Sequence, residues 1–249
     1  MSDILSTVDV EKNDRGSDYT HLTNSSIQTF GFEGVTVTVN DRTTKQPKEI
    51  LSGVNGMVEA EGEMLALMGP SGSGKTTLLN VLAHREAMSK ATKGLYINGK
   101  ETKLKDFQKI SSYVEQEDAL VGSDTVKETL YFAAKLALPS SIIKIERIMK
   151  IIALVTAFGL QGQAETIIGT PIQKGPSGGQ KRRVSVASQL ITSPKLLFLD
   201  EPTSGLDSAA NYEVISLVKA LAKKRNIGLY LNKFYIQAHV NVDRSFLSL

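Results

Sequence analysis

The sequence predicts an α/β fold built around a mainly parallel sheet. Two short apolar runs, EMLALMG at 63–69 and KLLFLDEP at 195–202, read as strands buried on both faces, and helical patterns lie between and after them. Such interleaving puts ligands at the C-terminal ends of the strands. The third observation is a pair of glycine runs, GPSGSGKTT at 69–77 and GPSGGQKRR at 175–183, each opening a helical pattern.

Taken in order, residues 1–29 are rich in Ser, Thr, Asp and Asn without apolar period and read as a disordered polar arm. The folded part starts near Phe30. GVTVTVN at 34–40 alternates as a half-buried strand does, DRTTKQPKE follows as a turn, and two further β-type segments lead to the run at 63–69, where Met64 and Met68 read as core filler. TVKETLYFAAKLALP is a helix with Thr125 and Glu128 spaced as a capping box and Pro139 as its stop. SIIKIERIMKIIALVTAFG follows, its expected buried stripe being Ile145, Ile148, Met149, Ile152 and Val155, with Gly159 at the end. A helix is expected from about Gly179 to Ile191. The last, SAANYEVISLVKALAKKR, is expected to turn Val214, Leu217, Val218 and Leu221 inward and to keep its basic residues at the C-terminal end, where the helix dipole favours them. Ile227 to Leu231 alternates well enough to supply one more strand.

Composition narrows the function classes. A chain of 249 residues with 41% hydrophobic and 22% charged residues fits one large α/β domain or two small ones. The formal charge of +3 gives no argument for nucleic acid, and the clusters Lys181-Arg182-Arg183 and Lys223-Lys224-Arg225 read as solvated helix faces. With no cysteine there is no disulfide and no thiolate metal site. The polar, acidic start does not resemble a signal peptide, and the most apolar run, Ile151 to Leu160, is far short of the roughly 18 residues that suggest a membrane span.

The first glycine run states its own chemistry. Gly69, Gly74, Lys75 and Thr76 fit G-x-x-x-x-G-K-[ST], between a buried strand and the helical KTTLLNVLAH. The nine residues Gly69, Pro70, Ser71, Gly72, Ser73, Gly74, Lys75, Thr76 and Thr77 are therefore expected to cradle phosphates: backbone N–H groups point into one concavity, Lys75 reaches the outer phosphates and Thr76 holds Mg²⁺. Asp200, ending an apolar strand, is the expected second metal ligand, and Glu201 after it is placed to orient or deprotonate an attacking water. Gln116, in YVEQED, is a third candidate, able to touch both metal and water. Catalytic roles are thus expected of Glu201, Gln116 and Lys75, and metal contacts of Thr76, Gln116 and Asp200.

The second run lacks a Lys-Ser or Lys-Thr after its glycines, but it keeps a serine hydroxyl, N–H groups from Ser177, Gly178 and Gly179, and a helix start. With Gly69 to Thr77, Gln116, Ser177-Gly178-Gly179-Gln180, Leu196 to Pro202 and SGLDS at 204–208 in this order, residues 34–227 resemble the nucleotide-binding domain of ATP-binding cassette transporters, and most closely the white-brown, or G, subfamily. The resemblance implies a P-loop NTPase core with an antiparallel N-terminal β part and a small helical subdomain inserted at about 117–185. It implies ATP and Mg²⁺ as ligands, and a second such domain as partner, one copy's Ser177, Gly178, Gly179 and Gln180 closing over the nucleotide held by the other's phosphate loop. It further implies a transmembrane domain as partner, no nucleic acid, a place on the cytoplasmic face of a membrane in full-length relatives, and ATP hydrolysis coupled to export of a substrate. DNA-associated cassette ATPases share the signature but insert long coiled coils, for which Gln116 to Ser177 leaves no room. NKFY at 232–235 begins like a guanine-reading motif but ends in Tyr235 where aspartate is required.

Three departures qualify the resemblance. Pro176 precedes the signature serine where relatives carry an apolar residue, so altered positioning of the following N–H groups is expected. The loop NDRTTKQP has no aromatic ring to stack on adenine, leaving Phe30 or Phe32 as substitutes. Lys233 falls where the family has a histidine followed by Gln-Pro, and His239, six positions late, reads as incidental. The resemblance stops near Ile227, leaving 228–249 as a tail outside the family pattern and suggesting a truncated chain, soluble or peripheral, without a transmembrane domain. Losing one preorganised transition-state contact costs on the order of a hundred- to a thousand-fold in rate, so the expectation is a chain that binds Mg-ATP and hydrolyses it slowly if at all; the alternative is a truncated, catalytically weak nucleotide-binding module pairing with a complete transporter subunit.

Overall fold

The computed structural model of the chain describes residues 27–41, 43, 45–59, 63–85, 91–170, 172–233 and 246–248. Most of the N-terminal arm and His239 lie outside these residues.

Two sheets and a set of helices make up the described chain. β1 (Thr29–Asn40) is the long hairpin partner of β2 (Pro47–Glu59), and it pairs on its other side with β4 (Ala91–Ile97), which carries the two-residue β5 (Lys100–Glu101); all pairings are antiparallel. The second sheet has the order β6-β7-β8-β3-β9, from β6 (Ser111–Val114), β7 (Leu196–Leu199), β8 (Gly228–Lys233), β3 (Met64–Met68) and β9 (Phe246–Ser248), every pair parallel. The segment that alternates at 227–231 thus becomes a strand between β7 and β3.

Sequence alternation in these strands separates two cores. Leu65, Leu67, Phe198 and Tyr230 face the antiparallel sheet and pack with Phe30, Val35, Leu51, Leu78, Leu82 and Phe107. Their neighbours Met64, Ala66, Leu197, Leu199, Leu229 and Leu231 face the other way, into a core closed by helices. Because both faces are covered, the central strands β3 and β7 are apolar at every position, MLALM and LLFL.

The first core contains a cluster of rings: Phe30 meets Tyr230 edge-on at 5.1 Å between centroids and lies 5.7 Å from Phe107. Phe30 is fully buried and Phe32 almost so. Neither is available to stack on a base, because alternation along β1 turns both onto its inner face, which corrects the expectation of an adenine contact.

The helices are α1 (Lys75–Leu82), α2 (Leu104–Ile110), α3 (Val126–Ala137), α4 (Lys144–Ala157), α5 (Gly178–Leu190) and α6 (Ser208–Arg225). The expected capping box of α3 is present: the Glu128 N–H donates to Thr125 Oγ1 and the Glu128 carboxylate accepts from the Thr125 N–H. The Thr125 N–H and the Thr125 hydroxyl, both donating to the Glu128 carboxylate, hold it below its ordinary range.

On α4 the expected stripe holds at Val155 and partly at Ile148 but fails at its other three positions. Ile145, Met149 and Ile152 are exposed, whereas Ile151, Leu154 and Val155 are buried, with Phe158 just beyond. The helix carries more apolar residues than one face can hold, so period alone did not select the buried set. α6 shows a smaller shift: Val214, Ile215, Val218 and Ala222 are buried, and Leu217 and Leu221 only partly so. No helix among the described residues is long and apolar enough to cross a membrane.

Candidate functional site at the strand ends

Parallel order brings the C-terminal ends of four strands to one edge. β3 runs into Gly69, β7 into Asp200, β6 into Glu115 and Gln116, and β8 ends with Asn232 and Lys233, Asn232 standing opposite Leu67 in register. Residues far apart in sequence are thereby juxtaposed by strand register alone.

The first glycine run wraps the start of α1. Gly69, Gly72 and Gly74 have φ of 154°, 82° and 90°. Gly74 is also pinned sterically, since a Cβ there would lie 2.8 Å from Leu51 Cδ2. Lys75 is only 5% exposed and folds over the loop, its Nζ donating to the carbonyls of Gly69 at 2.9 Å and Pro70 at 2.7 Å. Pro70, Ser71 and Gly72 form the exposed rim, and Thr77 is half-buried behind it. Ser73 Oγ is buried with no partner. An orphaned hydroxyl, a lysine inside a ring of backbone amides and a helix start with no acidic residue in its first turn fit a phosphate group.

Thr76 Oγ1 donates to Asp200 Oδ1 at 3.2 Å. The Asp200 carboxylate, 5% exposed, also accepts from Tyr113 Oη at 2.9 Å and from Asn232 Nδ2 at 2.6 Å. Burial, followed by the neighbouring Asp200 charge, raises the Tyr113 phenol well above its ordinary value, so it stays a donor at any physiological pH. No group of three or more His, Cys, Asp or Glu side chains that could hold a metal occurs among the described residues. A hydroxyl beside one carboxylate nonetheless suits a hard cation such as Mg²⁺, which takes oxygen ligands and is ordinarily completed by phosphate and water.

Glu201 has a left-handed φ of 39°, uncommon outside glycine. Its N–H donates to Asn232 Oδ1 at 2.6 Å, and its carboxylate accepts from Gln116 Nε2 at 3.0 Å. Gln116 is thus found on the candidate base, and the hydrogen bonds around Thr76 and Asp200 come from Tyr113 and Asn232 instead.

A family model described as ABC transporter matches residues 51–204, more than half of the chain. The chain belongs to the ABC transporter family. It is 49% identical over 183 residues to ABC transporter G family member 1 of Petunia hybrida, covering 72% of this chain and 28% of that protein. It is 41% identical over 191 residues to ABC transporter G family member 1 of Dictyostelium discoideum, covering 76% of this chain and 24% of that one. The chain therefore spans about a quarter of the length of these curated relatives. Among solved structures it resembles the ATP-binding cassette MJ0796 in a dimeric post-hydrolysis state bound to ADP and Pi, with a TM-score of 0.65 and 25% identity, covering 82% of this chain and 87% of that one.

In this ABC domain the second glycine run starts α5. Ser177 is its N-cap: Oγ accepts from the Gln180 N–H at 3.3 Å, and Gln180 Oε1 accepts from the Ser177 N–H at 2.8 Å. The Ser177 N–H is therefore engaged inside the capping box, leaving Gly178 and Gly179 as the donors of the helix start. Pro176 is buried, so it fills the apolar position ahead of the serine. Gly179 is required by close packing, since a Cβ there would lie 3.0 Å from Ala210 Cβ on α6. The SGLDS segment is a turn and an N-cap, with Asp207 Oδ1 accepting from the Ala210 N–H at 2.8 Å.

The expectation of a solvated basic face at Lys181 to Arg183 is overturned. Arg182 is 3% exposed; it donates to the carbonyls of Glu115 at 2.7 Å, Asp200 at 3.1 Å, Glu201 at 3.3 Å and Pro202 at 3.0 Å, and pairs with Asp118 at 2.8 Å. Arg183 is buried too, reaching the Phe158 carbonyl and Glu213. Arg182 ties the helix of the second run to the segments that carry Gln116 and Glu201. No local signal marks it, because its partners, four backbone carbonyls and the Asp118 carboxylate, are distant in sequence.

Proposed function

We propose that this chain is the ATPase domain of an ABC transporter: it binds Mg-ATP between the Gly69–Thr77 loop and Asp200, and pairs with a second such domain through the Ser177 helix start. The observation that carries this reading is the meeting of the Lys75 loop, the Thr76–Asp200 pair and the Gln116–Glu201 pair on one edge of a parallel sheet.

Lys75 is placed to leave the Gly69 and Pro70 carbonyls for phosphate oxygens, and the glycine amides with Ser73 Oγ supply the remaining donors. Thr76 Oγ1 and Asp200 Oδ1 would hold Mg²⁺, which supplies neutralisation of phosphate charge when bound. Glu201 is the group to accept a proton from water, and Gln116 holds its carboxylate in place. Gly178, Gly179 and Ser177 Oγ present donors to the nucleotide of a second copy; in MJ0796 the dimeric arrangement is seen with ADP and Pi. In a full-length protein the domain would sit on the cytoplasmic face of a membrane and couple turnover to transport by a transmembrane domain.

Titration calorimetry with ATP and Mg²⁺ tests the binding step, and absence of any heat of association overturns the reading. Catalysis is tested separately by Glu201→Gln. A steady-state turnover that the substitution abolishes supports the ATPase; a wild-type rate already at background supports the second reading, a binding module, which the counted position of Lys233 favours.

A further inference from the structure

Asn232 enters the sequence only as the first letter of the rejected NKFY match, yet at the strand ends its side chain makes three hydrogen bonds, as many as that of Asp200. It is fully buried, and all its polar atoms are used. Nδ2 donates to Asp200 Oδ1 at 2.6 Å and to Thr76 Oγ1 at 3.0 Å, while Oδ1 accepts from the Glu201 N–H at 2.6 Å. These partners fix the amide's orientation: turned over, its carbonyl would face a carboxylate and its NH₂ would face an N–H.

The two oxygens that Asn232 engages are the two that would hold Mg²⁺. Thr76 gives its hydrogen to Asp200 Oδ1 and takes one from Asn232, so the three groups close a triangle of hydrogen bonds without a cation. A cation at about 2.1 Å needs the same lone pairs that the amide hydrogens now occupy. Resting on the nucleotide-binding reading above, we propose that Asn232 is a latch: in the nucleotide-free chain its amide stands in for Mg²⁺ on Thr76 and Asp200, and the cation must displace it.

The latch reaches further than the cation. The opposite end of the same amide holds the N–H of Glu201, whose left-handed backbone has little intrinsic preference for that shape. Moving Asn232 off Asp200 therefore also releases the N–H of the candidate base, while its carbonyl stays held by Arg182 and the Ser204 N–H. Asn232 is a positioning residue that couples occupancy of the cation site to the geometry of Glu201.

The test measures the Mg²⁺ concentration that half-saturates ATP binding, by calorimetry, for the wild-type chain, Asn232→Ala and Asn232→Asp, together with thermal melting with and without Mg²⁺. The latch requires Asn232→Ala to lower the half-saturating Mg²⁺ by about tenfold, the worth of one or two competing hydrogen bonds, and to lower the melting temperature in the absence of the cation. Asn232→Asp keeps the shape but has no donor; it is expected to melt early without Mg²⁺ and to gain more on adding it than the wild type does. If Asn232→Ala does not fold, this Mg²⁺-dependent gain in the aspartate variant decides alone. A half-saturating concentration that is unchanged or raised, or an aspartate variant with no extra gain, overturns the latch while leaving ATP binding intact. A wild-type chain that binds no ATP instead overturns the nucleotide reading on which the latch rests.

Discussion

The two glycine runs share their first letters and a helix start, but they are held in opposite ways. The run at 69–77 is tied into the body of the molecule: Lys75 is buried, Gly74 lies against Leu51, and Thr76 is bonded to Asp200 and Asn232. The run at 175–183 passes from half-buried Gly175 and buried Pro176 to an exposed Ser177 and Gly178, and the Ser177 side chain bonds within its own capping box with Gln180. The first is a site already assembled within one chain. The second is a rigid, outward-facing edge, and what fixes it lies one turn later, in Arg182.

Breaking that anchor has the largest expected effect. Arg182→Ala removes a buried cation and strands four carbonyls and Asp118, which costs about 3–5 kcal/mol and is read as a fall in the denaturant midpoint. If the stability lost, obtained from the midpoint and the slope, is under about 1 kcal/mol, the second run is not held through Arg182.

Lys75→Ala addresses the first run directly. Loss of a charged donor weakens nucleotide binding by about ten- to a hundredfold in a calorimetric titration, with the fold retained by circular dichroism.

Ser177→Ala sharpens the contrast. It removes only an N-cap, so stability falls by about 1 kcal/mol, while ATP affinity of the single chain stays within about twofold of wild type. A large loss of affinity would mean that the second run serves the nucleotide of its own chain.

The smallest effect is a pH dependence at the far end of α1 from the first run. His84, just past α1, is pulled down to about 4, by burial first and then by Lys93, whose Nζ lies 3.0 Å from Nδ1. Its depressed value means the unfolded state binds more protons between about 4 and 6.5, so the contribution of neutral His84 is present above 6.5 and is lost as pH falls through that window. His84→Phe should flatten the melting temperature across this range relative to wild type.

How far the sequence disclosed this arrangement depended on whether the cause was local. The glycine loop at 69–77, the capping box at Thr125 and the buried strands each follow from a few adjacent residues, and they stand where their spacing places them. Asn232 and Arg182 were silent because their partners lie 18 to 156 positions away and meet only through strand register. The α4 stripe failed for another reason: two apolar stripes share one helix, and only its neighbours decide which is covered.

That second stripe has a practical consequence. Phe132 and Leu136 on α3, with Ile145, Met149 and Ile152 on the adjoining α4, stand open to water. Oily side chains displayed on neighbouring helices make a purified sample sticky, so the isolated chain is expected to self-associate as concentration rises. Replacing Leu136 and Ile145 with glutamate should extend its usable concentration range, because neither side chain contributes to the interior.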